Sequence, residues 1–193
     1  MRTQVASVYL ALLTSAALAT ALPAYEASAK ISDSIILRAL AGTYSLVNTS
    51  STRDWVPIPD AVYGEAPVGQ LIYTASGFMS ATITASEPEF RPAVSFPYKA
   101  NETDADWATV GRHSIGYAGP LSINLDLLAN LTHGQLFHGP LTVANVPTMV
   151  GVSQVRNYTV IKTREQGEEV TYIRIGSERG GGFRGELWWK KIG

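Results

Sequence analysis

From Gly69 to Thr84 the chain alternates polar and apolar side chains through two β-rich runs joined by Ala75-Ser76-Gly77. Successive side chains of a strand point to opposite faces. Gln70, Thr74, Ser80, Thr82 and Thr84 therefore face water, while Leu71, Tyr73, Met79, Ala81 and Ile83 face an interior. Three turn residues ending in glycine join such runs as a hairpin. A wall with one wet and one dry face needs further strands to bury against.

More β-rich runs occur at Gly42–Val47, His113–Leu125, Gln135–Val143, Val150–Thr163, Glu169–Ile175 and Gly185–Ile192, separated by turn residues. That makes about eight strands and no long helix, the pattern of an antiparallel all-β barrel or sandwich. A barrel of about eight strands has room inside for one small ligand. Ahead of the first strand, Ser32-Asp33-Ser34 caps a short helix from Ile35 to Leu40, placed to act as a lid or plug. Two stretches lack period. Ser50–Val68, with Pro57, Pro59 and Pro67, reads as a long loop. Residues 85–110, with Pro88, Pro92, Pro97, Glu102, Asp104 and Asp106, read as a connection over one mouth in which Trp107 can start a short helix.

The N-terminus sets the compartment. After Arg2 the chain is uncharged from Val5 to Leu22 and then offers small-residue cleavage points up to Ala27-Ser28-Ala29. This predicts a signal peptide over residues 1–21, with cleavage as late as residue 29, and a single domain over residues 30–193. The 18 uncharged residues approach a spanning length, but Ser7, Thr14, Ser15 and Thr20 dilute them and no basic cluster follows, so no stable membrane insertion is expected after cleavage. Sequons at Asn48, Asn101, Asn130 and Asn157, where chance gives about one, fit a secreted, glycosylated protein. With no cysteine, the fold rests on its core and its hydrogen-bond ladders. Fifteen Lys and Arg against 16 Asp and Glu make no basic field, so nucleic acid is not an expected partner.

Four segments resemble, in order, the single-domain lipocalin-like family of bacteria and fungi: residues 40–47 (Leu40-Ala41-Gly42-Thr43-Tyr44-Ser45-Leu46-Val47), residues 69–81, Gly116-Tyr117-Ala118-Gly119, and residues 147–156. The sequence departs from the family where Tyr44 and Met149 replace its usual tryptophans and Ser76 replaces the aspartate of its turn. The resemblance implies a lipocalin-like barrel that binds a small apolar molecule. It further implies service in fungal-type specialised, or secondary, metabolite biosynthesis, either as a cofactor-free cyclase or isomerase or as a non-catalytic carrier or scavenger. A core with no cavity would instead indicate a secreted surface protein without a ligand.

A glycan on Asn157 cannot point into a barrel, so Val155 and Thr159 share its outer face while Gln154, Arg156 and Tyr158 face in. An inward guanidinium must meet a carboxylate strut, stack on an aromatic, or await an anionic or enol-bearing ligand. Arg156, Tyr117 and His138 are the candidate catalytic groups, able to polarise a carbonyl or pass a proton. Tyr73, Met79, Met149, Gln154, Tyr158 and Trp189 are the candidate ligand-binding residues. On the last strand, Glu186 and Lys190 place Trp188 outside, which turns Leu187 and Trp189 inward. His113, His133 and His138 lack the spacing of a zinc site, so no metal is expected. There is no Gly-x-Ser-x-Gly elbow and no phosphate loop in the glycine-rich turn Glu178–Gly185, and no cofactor is implied.

Overall fold

The structure, a computed structural model, describes residues 32–193; the expected leader lies outside the described residues. Helix α1 (Asp33–Leu40) buries Ile36, Leu37 and Leu40. It starts two residues ahead of Ile35, with the Ser32 carbonyl accepting from the amides of Ile35 and Ile36 and no side-chain cap from Ser32. The strands are β1 (Gly42–Arg53), β2 (Val56–Ile58), β3 (Val68–Tyr73), β4 (Phe78–Thr84), β5 (Ser114–Ile123), β6 (His133–His138), β7 (Val143–Ala144), β8 (Gln154–Glu165), β9 (Glu168–Glu178) and β10 (Phe183–Lys191). Eight of them run antiparallel in the order β1-β3-β4-β5-β6-β8-β9-β10, and β10 pairs back onto β1 to close the barrel. Closure leaves no free edge in this ring, while β2 and β7 lie beside it on β1 and β5.

The hairpin alternation holds throughout. Leu71, Tyr73, Met79, Ala81 and Ile83 are all buried, in one core with Leu46, Leu136, Ile173 and Trp189. Four expectations change. The stretch after Ser50 is not a plain loop: β1 continues to Arg53 against β10, turns through Asp54-Trp55 (φ 49° and 69°), and returns as β2. Two central residues with positive φ make the turn whose twist suits a two-residue hairpin. The run Gln135–Val143 breaks after His138, because Gly139 takes φ 125° and Pro140 has no amide to give a ladder. The run from Val150 becomes strand only at Gln154, after a single 3-10 turn over Pro147–Met149. In the connection over 85–110, helix α2 (Asp104–Arg112) starts before Trp107. Thr103 Oγ1 accepts from the Asp106 amide at 3.2 Å and the Asp106 carboxylate accepts from the Thr103 amide at 3.1 Å, a reciprocal cap.

Gly119 is closely approached by backbone inside the wall. A Cβ there would sit 3.0 Å from the Leu141 Cα and the Pro140 carbonyl oxygen, both backbone atoms of the segment that leaves β6. Gly119→Ala is therefore expected to cost about 1–3 kcal/mol, read as a lower denaturant midpoint at unchanged slope.

Candidate functional site

The two barrel ends differ. At one end α1 packs on β5 and its Leu40 carbonyl accepts from Tyr44 Oη at 2.6 Å. At the other, the segment 60–66 folds over the mouth and is held by side chains distant in sequence. Asp60 accepts from the amides of Val62 and Tyr63 and from Ser51 Oγ. Glu87 accepts from the amides of Glu65 (2.6 Å) and Ala66 (3.2 Å), and His113 Nδ1 meets the Val62 carbonyl at 2.9 Å. His113 thus serves the loop, its ring stacked on Phe90 at 3.9 Å, and does not enter the barrel.

Under this segment lies a cavity of about 460 Å³. Its apolar wall is Ile83, Ile115, Met149, Ile175 and Leu187; its polar groups are Tyr63, Tyr117, Gln154, Arg156, Ser177, Glu178 and Arg179. The expected phase of β8 agrees with the exposure pattern: Val155 and Asn157 are exposed, Gln154 and Arg156 are half-buried on the cavity side, and Tyr158 is buried. Arg156 Nη1 donates to the Val155 carbonyl at 2.7 Å and Nη2 reaches Gln154 Oε1 at 3.5 Å. No carboxylate among the described residues pairs with it. The ion pairs found there are Lys162–Glu169, Arg174–Glu186, Arg184–Glu178 and Lys190–Glu165, so the strut arrangement does not occur.

Of the candidate residues, Tyr117, Arg156, Gln154 and Met149 come together on this cavity. Tyr73, Met79, Tyr158 and Trp189 face inward but form the packed floor, with Tyr158 Oη donating to the Asn130 carbonyl. Their side chains fill the middle of a narrow barrel, which leaves open space toward the mouth. His138 also lies in this floor, 1% exposed, with Nε2 at 2.6 Å from Tyr73 Oη and its ring centroid 6.1 Å from that of Tyr117. Burial, aided by the Arg156 charge, pushes its pKa down from 6.5 to about 3, so it stays neutral at physiological pH and is a weak base. It is set back from the cavity that Tyr117 lines. Trp188 lies on the outer face under Arg174, as its neighbours imply.

Tyr63 and Arg179 belong to the site and escape sequence reasoning, because one sits in a proline-rich loop and the other in a glycine-rich turn. Burial raises the Tyr63 hydroxyl to about 12, keeping it a donor. Among the sequons, Asn48, Asn101 and Asn157 are exposed and Asn130 is half-buried; the carboxamide oxygen of Asn130 accepts from the amides of Thr132 and His133, and that of Asn157 from Gln135 Nε2.

A family model described as a lipocalin-like domain matches residues 41–192, from the end of α1 through β10. No curated protein and no solved structure matches the chain at a significant level.

Proposed function

This chain belongs to the lipocalin-like domain family, and on that premise we propose that its barrel takes up one small apolar molecule through the mouth that Tyr63 overhangs. The observation that carries the reading is the cavity of about 460 Å³ between Ile83, Ile115, Met149, Ile175 and Leu187, a size and lining suited to a single small ligand. The molecule belongs to a secreted branch of specialised metabolism, and Arg156 and Tyr117 hold and polarise an oxygen of it. Turnover by this site would be a cyclisation or isomerisation, in which a flexible substrate is held near its reactive shape without metal or nucleotide.

A non-catalytic carrier is the second reading, favoured by His138: neutral, sealed in the floor and set back from the cavity, it leaves the site without a base poised near neutral pH. Native mass spectrometry of protein purified from its own source tests the proposal through the mass of a co-purified small molecule. Incubating that molecule, or its acyclic precursor, with the protein then separates enzyme from carrier. A barrel that holds no small molecule and takes up no apolar probe refutes both. Protein from the same source should begin between Thr20 and Lys30 and carry glycan on one or more of Asn48, Asn101, Asn130 and Asn157. N-terminal sequencing that returns Arg2 would remove the secretory part of the proposal.

A further inference from the structure

Of the polar groups on the cavity, the Tyr63 and Tyr117 hydroxyls and the Arg179 guanidinium have no hydrogen-bond partner among the described residues, whereas Arg156 donates to the Val155 carbonyl and to Gln154, and Ser177 to the Gly185 carbonyl. Arg179 leaves β9 and folds back over Gly185, where a Cβ would lie 3.3 Å from its Nη2 and 3.4 Å from Ser177 Oγ. Gly185 shares the inward face of β10 with Leu187, so the missing side chain lets this guanidinium rest in the mouth. Neither Arg179 nor Arg156 has a carboxylate partner among the described residues. The hydroxyls of Tyr63 and Tyr117 also line the cavity, and both guanidinium charges bear on the Tyr63 hydroxyl. The single carboxylate on the wall, Glu178, is engaged by Arg184 at 3.2 Å. Asp60, whose charge also bears on the Tyr63 hydroxyl, is occupied by Ser51 Oγ and two loop amides. A neutral carbonyl needs one or two donors. Two guanidiniums without a carboxylate partner, Arg156 half-buried and Arg179 exposed at the rim, beside two phenols match a full negative charge spread over several oxygens, because charge-assisted bonds are the strong ones.

We infer that the molecule taken by this cavity is an apolar organic anion, a carboxylate or an acidic enol, with its charged oxygens seated between Arg156 and Arg179 and its carbon body against Ile115, Ile175 and Leu187. The inference rests on the barrel-binding reading and narrows its ligand class. Two fluorescent probes of one shape test it: neutral N-phenyl-1-naphthylamine and its sulfonated counterpart 8-anilinonaphthalene-1-sulfonate. The full chain should bind the sulfonated probe about tenfold more tightly than the neutral one, and each should displace the other. Arg156→Met and Arg179→Met should each weaken the sulfonated probe about five- to tenfold and leave the neutral probe within about twofold. Melting midpoints should not fall, since no ion pair is lost. Equal affinities for the two probes, or a sulfonate affinity that neither variant alters, would overturn the anion assignment while leaving apolar binding intact. Failure of both probes to bind would overturn the barrel-binding reading itself.

Discussion

Acidifying the protein from pH 6.5 to 4.5 is expected to remove about 2 kcal/mol of its stability, and His138→Gln is expected to abolish most of that loss. The folded protein holds His138 neutral, with a pKa of about 3 against 6.5 for the exposed ring, because burial and the nearby Arg156 charge both oppose protonation. Between those two values the unfolded chain binds a proton that the folded one refuses, so stability is complete well above 6.5 and falls as the pH drops, with a slope approaching about 1.4 kcal/mol per pH unit below about pH 5.5. The total across the whole window is on the order of 5 kcal/mol. Carboxylates contribute later: Glu87, Glu102 and Glu165 lie below their usual 4.5 and Asp106 below 3.8, which keeps them charged over most of the upper window. Glutamine places its amide near the position of Nε2, so the Tyr73 hydroxyl keeps a partner in the variant. Denaturant midpoints of both proteins at matched pH check the result. Equal slopes between pH 6.5 and 4.5 would mean that the folded state accepts the proton and that the floor opens to water.

The inward set was readable wherever polar and apolar residues alternate with contrast. The hairpin from Gly69 to Thr84 has that contrast, and on β8 the sequon at Asn157 supplied it where hydrophobicity did not, which is why Arg156 could be turned inward from sequence alone. Ser50–Arg53 has none. Four polar residues running into Pro57 and Pro59 look like loop, and only the partner strand β10 makes them strand. The sequence also carried the break at Gly139-Pro140 and the reciprocal cap of Thr103 with Asp106, signals that a period-based reading passes over. Pocket membership is a different kind of property. Tyr73, Met79 and Trp189 face inward as their alternation requires, yet large rings from neighbouring strands close on one another there and leave no room. Tyr63 reaches the cavity because Glu87 and His113, far along the chain, hold its loop in place. No local pattern encodes such tethers.

Helix α1 should act as a plug for stability and not as a gate for ligand. Its eight residues are too few to persist alone in water, so burial of Ile36, Leu37 and Leu40 against the barrel end must hold it. Ile36 is 0% and Leu40 1% exposed, and truncating a buried side chain of this size leaves a void that a packed end cannot collapse to fill. Ile36→Ala and Leu40→Ala are each expected to cost about 2–5 kcal/mol, and the pair about 4–8 kcal/mol, comparable with the whole stability of a small domain. The cavity has no α1 residue in its wall and opens at the other mouth. Each single variant, at a temperature where it remains folded, should therefore bind neutral N-phenyl-1-naphthylamine with an affinity within about twofold of the parent. A Leu40→Ala protein that lost probe affinity along with stability would place the ligand at the α1 end, and α1 would then be the lid of the site.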